Sequence, residues 1–291
     1  MSQSKKIPRL SPARIIGKFL NALALVAPSL AGRLAFDLFC LPLRKRPKPA
    51  EAAFLATADL SYQTVNGRQF AVYHWGFRGP IALLVHGWES HSGRWRKIAP
   101  LLVQAGYQVV AVDAPAHGRS QGRRFTMIHY ADVLRTLLQR IGPVDTIVGH
   151  SVGGAASIWA MGTAAPALRP RKAVVMAAFS ALRTVMDGAR YTIGGSPKLM
   201  AAIDAYVVKW SGHSIDHFSI ARKAGQLGEV DGLILHDRHD HVTSFGESEI
   251  LYRAWPNAQF LPTEGFGHGL TAPEVSTAIL NFVLEGNFAA V

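Results

Sequence analysis

The sequence predicts an α/β fold: a mostly parallel eight-stranded sheet flanked by helices, with a small helical lid. Three observations predict it. Short apolar runs alternate with helical patterns along most of the chain, as βαβ units require. Ile81-Ala82-Leu83-Leu84-Val85 is apolar throughout, as a strand covered on both faces must be. A β-branched run, Asp145-Thr146-Ile147-Val148, leads through Gly149-His150-Ser151-Val152-Gly153 into the small-residue helical run that starts at Gly154.

The elements follow in order. Residues 1–50 form a basic, apolar helical segment, with 44–49 as its proline-broken linker. Residues 60–65 and 69–75 read as antiparallel strands joined at Asn66-Gly67, a pair that suits a tight hairpin turn. The third strand is 81–85. A helix over 93–104 ends before Gly106, and 108–113 is the fourth strand. A helix over 128–141 precedes the strand 145–148, and 172–177 is the sixth. The last two strands are 232–235 and 258–262. Residues 51–180 and 229–291 thus make a core in two parts. The segment 181–228 between them is helical and longer than one crossover needs, so it reads as the lid. Its Tyr191, Met200, Ile203, Tyr206, Val207 and Trp210 are apolar enough to cover an acyl pocket or to bury the lid's own helices.

The chemistry centres on Ser151. In a G-x-S-x-G turn between strand and helix, the hydroxyl is exposed and held in a strained backbone. Glycines flank it because a Cβ would clash with the neighbouring strand or helix, and the helix that follows aims its first amides at developing negative charge. Two aspartates follow the seventh strand, in His236-Asp237-Arg238-His239-Asp240-His241-Val242. Asp237 sits at the strand edge. Asp240 lies three residues into the loop, with Val242 behind it to pack back onto the core, and is the better acid. After the last strand, Glu264-Gly265-Phe266-Gly267-His268-Gly269-Leu270 places one histidine in a glycine-rich loop. His268 is the best base among the twelve histidines. His150 reads as packing, its side chain turned away from the nucleophile. His117 reads as a loop-stabilising residue, and His236, His239 and His241 as polar partners of the acid loop.

With these residues in place the chain resembles the α/β-hydrolase-fold serine hydrolases over about residues 54–286. Four motifs stand in that family's order: His86-Gly87-Trp88, the loop from Asp113 to Ser120, the elbow, and Asp240 with His268. It is most similar to esterase/lipase-like bacterial hydrolases with a His-Gly-Trp-Glu loop and an Asp-Ala-Pro-Ala-His-Gly loop. The resemblance implies a triad of Ser151, Asp240 and His268, oxyanion donors at the Trp88 and Val152 amides, and no cofactor or metal. The Trp88 side chain lines the acyl pocket in one reading and is a core residue in the other. Relatives often carry His-Gly after the seventh strand, whereas this chain carries His236-Asp237, so both aspartates stay in contention for His268.

Composition bounds the rest. The chain has 291 residues and one cysteine, Cys40, so no internal disulfide is available and a reducing, cytoplasmic location fits. The net charge is +12, but residues 1–50 hold ten basic groups against Asp37 alone. The catalytic body is therefore nearly balanced. The basic segment is also apolar, from Ile15 and Phe19 to Leu30 and Leu41, yet its longest uncharged stretch is too short to span a bilayer. Its Ala-x-Ala pattern is poorly placed for a secretory signal. Two readings remain. Residues 11–42 form a broken amphipathic helix on an anionic membrane surface, aided by Arg44-Lys45-Arg46, at the inner face of the membrane. Alternatively, that helix packs on the body and its charges are solvated. Nucleic acid is not an expected partner, because no aromatic-basic interleaving or recognition motif accompanies the charge.

The expected reaction is cleavage of a small-molecule carboxylic ester through an acyl-enzyme. Thioester or amide hydrolysis would use the same parts. A non-catalytic binding or membrane adaptor on this fold is the third reading. A metallohydrolase built on 236–241 is disfavoured, because Arg238 stands where a ligand would be needed.

Overall fold

The computed structural model describes residues 11–287. Lys5, Lys6 and Arg9 of the basic segment lie outside the described residues. In chain order, α1 (Pro12–Val26), α2 (Pro28–Phe39) and α3 (Pro49–Leu55) precede β1 (Asp59–Val65), β2 (Arg68–Trp75) and β3 (Ile81–Val85). Then come α4 (Ile98–Gln104), β4 (Gln108–Val112), α5 (Met127–Arg140), β5 (Val144–His150), α6 (Val152–Thr163) and β6 (Lys172–Met176). The chain continues with α7 (Leu182–Ile193), α8 (Pro197–Ser211), α9 (Ile220–Ala224), β7 (Asp231–Asp237), α10 (Phe245–Ala254), β8 (Ala258–Thr263) and α11 (Pro273–Glu285).

These elements form two compact units. The sheet unit comprises 41–180 and 219 onward. Its eight strands run in the order β1-β2-β4-β3-β5-β6-β7-β8. β1/β2 and β2/β4 are antiparallel and every later pairing is parallel. The central strands β3 to β6 are almost wholly buried, which explains their unbroken apolar runs. Register matters most at the carboxyl ends: Val85 pairs with Gly149, His150 with Met176, Met176 with Leu235, and Asp237 with Thr263. Four loops therefore leave one edge of the sheet side by side, the edge where ligands bind in open α/β sheets.

Two expectations differ from the structure. The helix expected over 93–104 is a 3₁₀ turn at Ser92–Arg96 followed by α4. Pro100 has no N–H to bond back to Arg96 and its ring would strike that carbonyl, so one continuous helix cannot form there. In addition, Ser92 N–H and Oγ are drawn onto Asp113 Oδ1, 2.8 Å away in each case. The seventh strand runs two residues further than 235, through His236 and Asp237.

The helical unit comprises 11–40 among the described residues with 181–218. The helix expected over 11–42 is broken at Ala27, where Pro28 opens α2. The Asn21 side chain holds the α7–α8 turn: its Nδ2 donates to Gly194 O at 2.8 Å and its Oδ1 accepts from Ser196 N–H at 2.8 Å. Gly32 is required by close approach, since a Cβ there would lie 2.2 Å from Ala202 O on α8. Phe36 packs against Tyr206 and Trp210, each at 5.5 Å. Met200, Ile203 and Val207 are buried in the unit's own interior.

Candidate active site

Ser151 sits between β5 and α6 at φ 54° and ψ −126°, a conformation unfavourable for a residue with a Cβ. The surroundings impose it. Its N–H donates to Met176 O at 2.7 Å, pinning the turn to the end of β6. A Cβ on Gly153 would stand 2.4 Å from His86 O and 2.5 Å from Val85 O, so α6 can start beside β3 only with glycine there. Ser151 thus emerges where the unpaired first amides of a helix, Val152 N–H among them, converge.

The loop after β3 lies against this turn: a Cβ on Gly87 would be 3.1 Å from Ser151 Cβ. Two buried histidines shape the loop. His86 Nε2 accepts from Ala114 N–H at 2.9 Å, so its Nδ1 carries the proton donated to Gly87 O at 2.8 Å. His117 Nε2 accepts from Glu89 N–H at 2.9 Å, and its Nδ1–H donates to Pro115 O at 2.8 Å. Burial pushes both imidazoles below the ordinary histidine range, His86 far below, so both are neutral, as accepting from an amide requires. Glu89 takes φ 48°, which the His117 bond stabilises. Trp88 is partly exposed, its ring edge-on to His117 at 5.7 Å and Phe125 at 5.3 Å.

The structure separates the two aspartates. Asp240 Oδ2 lies 2.7 Å from His268 Nδ1 and 3.1 Å from His236 Nε2. Its Oδ1 accepts from the Val242 and Thr243 amides at 2.7 and 3.0 Å. Burial of the carboxyl favours its neutral form, but these four hydrogen bonds outweigh burial and hold it well below the usual carboxylate range. Asp237 ends β7, and its carboxylate accepts from His239 N–H, Thr263 Oγ1 and Phe266 N–H at 2.8 to 3.0 Å. It braces the start of the His268 loop rather than the imidazole. Val242, expected to pack on the core, is 73% exposed. The Asp240 turn is anchored instead by hydrogen bonds, including His236 Nε2–H to Thr243 O at 3.0 Å.

His150 does more than the packing expected of it. Its Nε2–H donates to His268 O at 2.8 Å, and its Nδ1 accepts from Arg94 Nη1. Arg94 Nη2 donates to Gly269 O at 2.9 Å. Burial and the Arg94 charge push His150 far below the ordinary histidine range, fixing this neutral tautomer. Burial pulls Arg94 down to about 9, so it remains a cation at neutral pH. Arg94 and His150 thus tie the elbow to the His268 loop. Sequence reasoning missed Arg94, because it stands in the basic run Arg94-Trp95-Arg96-Lys97 and nothing local distinguishes it from its neighbours. Of the sequence-named residues, Trp88, Ser151, Asp240 and His268 lie on the loops and turns leaving the one sheet edge, and Val152 opens α6 there.

A family model described as alpha/beta hydrolase fold matches residues 80–192. The chain has the α/β-hydrolase fold. This hydrolase-fold chain is 38% identical over 92 residues to a non-heme haloperoxidase of Rhodococcus erythropolis, 31% of this chain and 33% of that protein. It is 33% identical over 106 residues to a monoglyceride lipase of Rattus norvegicus, 33% of this chain and 35% of that protein. The chain thus spans about a third of the length of these curated relatives. Among solved structures, Est1E of Butyrivibrio proteoclasticus with bound ferulic acid superposes with a TM-score of 0.62 at 15% identity. That match covers 77% of this chain and 98% of the other, and it speaks for the fold alone.

Proposed function

We propose that the protein is a serine hydrolase that cleaves a small-molecule carboxylic ester through an acyl-enzyme on Ser151. The observation that carries this reading is the 2.7 Å contact of His268 Nδ1 with the buried carboxylate of Asp240. That contact fixes the proton on Nδ1 and leaves Nε2 as the basic nitrogen. In the first half-reaction Nε2 takes the Ser151 Oγ proton as the oxygen attacks the ester carbonyl. The Val152 and Trp88 amides donate to the oxyanion, a pair whose single members are each worth about 10²–10³ in rate. The proton then passes from His268 to the departing alkoxide. Water repeats the sequence on the acyl-enzyme, releasing the acid and restoring Ser151. The Asp240 carboxylate stabilises the imidazolium formed in both halves.

The names of relatives such as a monoglyceride lipase support an ester as the substrate. The test is labelling with a fluorophosphonate and site mapping by mass spectrometry, beside a panel of acyl esters, thioesters and amides of graded chain length. Labelling of Ser151, ester turnover, and loss of both in Ser151→Ala are expected. Turnover that survives Ser151→Ala would overturn the mechanism. Selective thioester or amide turnover would keep the triad and reassign the substrate.

A further inference from the structure

We infer that the outer face of the α1–α2 hairpin is a docking surface for an anionic lipid bilayer. The inference stands apart from the reading of Ser151. The two helices each present two apolar faces. On α1, Gly17, Leu20 and Ala24 are buried inside the helical unit. The opposite face carries Ile15, Phe19 and Val26, which are 57%, 63% and 82% exposed. Their spacing of four and then seven residues puts them on one stripe. On α2, Ala31, Gly32, Ala35 and Phe36 are buried, while Leu30 and Leu34 repeat the exposed stripe four residues apart. Leu25, also exposed, stands at the hairpin tip. A helix covered on one side needs polar residues on the other; each helix of this hairpin exposes an apolar stripe instead, and exposed apolar surface of this kind marks interaction sites.

Charge selects the occupant. The exposed charged groups of the described hairpin are Arg14, Lys18 and Arg33. Its one acid, Asp37, is half-buried and lies 3.7 Å from Arg33. A second copy docked on the same face by two-fold symmetry would bring these cations together, whereas an anionic headgroup layer would satisfy them. Among the described residues no helix is long and apolar enough to cross a membrane. An apolar stripe rimmed by cations on short helices is the pattern of a helix lying in the interface. The surface is narrower than residues 11–46, the range expected from sequence. Arg44 donates to the carbonyls of Gly118, Ser120 and Gly122. Lys45 lies 3.5 Å from Glu89. Both spend their charge within the sheet unit.

The test is flotation of the full chain with phosphatidylglycerol/phosphatidylcholine vesicles and with phosphatidylcholine alone, at low and high salt. The wild type should float with the mixed vesicles, and less so with pure phosphatidylcholine or in high salt. Phe19→Asp with Val26→Asp should lower the partition by about tenfold or more. Lys18→Glu with Arg33→Glu should lower it on mixed vesicles only. Phe77→Asp, at an 80% exposed position in the sheet unit, should leave it unchanged. All variants alter exposed side chains, and a circular-dichroism melt checks folding; should the Asp pair melt early, the Glu pair decides the outcome. Wild type that stays off mixed vesicles, or folded variants that float like wild type, would overturn the inference. A dimer in light scattering that the Asp pair dissolves, with no vesicle binding, would assign the face to a second copy and overturn it too.

Discussion

Asp237 and Asp240 stand three residues apart, and their hydrogen bonds assign them different work. Asp240 receives His268 Nδ1–H, and Asp237 receives backbone and hydroxyl donors from the segment that leads to His268. Asp240→Asn offers Nδ1 an amide and favours the wrong tautomer; kcat should fall by about 10⁴-fold. Asp237→Asn can still accept with one oxygen but turns N–H donors toward others; a stability loss of about 1–3 kcal/mol is expected with a far smaller loss of kcat. Steady-state kinetics and denaturant midpoints on both variants check the split, and equal kcat losses would refute it. Arg94→Lys removes a planar fork that reaches both His150 Nδ1 and Gly269 O. An ammonium cannot bridge both, so His268 should shift and kcat fall by about ten- to a hundredfold, while Ser151 still labels slowly.

At the scale of elements, the decisive feature is that parallel strands end in register. Val85, His150, Asp237 and Thr263 close the strands whose loops carry Trp88, Ser151, Asp240 and His268. The start of α6 can reach that edge only because Gly153 lacks a Cβ. Gly153→Ala would place a methyl 2.4 Å from His86 O and 2.5 Å from Val85 O, both backbone atoms that cannot rotate away. A loss of about 3 kcal/mol or more, or failure to fold, is expected, read as a fall in thermal midpoint or in soluble yield. The elbow is legible in sequence because its residue types are dictated by local sterics. The break at Lys97, one turn before Pro100, is legible in the proline itself, but the apolar pattern around it is helical and masks the interruption.

At the scale of the molecule, buried histidines set the response to acid. His86 and His150 are buried, and burial pushes both well below 6.5; His74, His117 and His129 are lowered by the same cause. Below 6.5 the unfolded chain binds protons that the folded chain refuses, so stability is full above that pH and falls as pH drops through it. His86 and His150 therefore each cost stability progressively as pH falls below 6.5. Asp237 and Asp240, whose folded values lie below 3.8, contribute nothing to the change in that window, because they are ionised in both states. Thermal midpoints should therefore decline between pH 7 and 5. A flat profile would mean that these rings take up protons without unfolding.

By itself the sequence determined the succession of strands in the α/β body, the elbow at Ser151, the histidine loop and the two rival acids. These rest on local physics: apolar runs that must be covered, glycines that must lack a Cβ, a base in a loop that can move close. Only the tertiary structure decided between Asp237 and Asp240, since both follow the same strand and only three-dimensional register reveals which carboxylate meets His268 and which meets Thr263 and Phe266. It alone joined Arg94 to His150 across 56 residues. It also divided the N-terminal helices into a face covered by α7 and α8 and a face left apolar and open, because hydrophobic periodicity records that a side chain avoids water without recording what covers it.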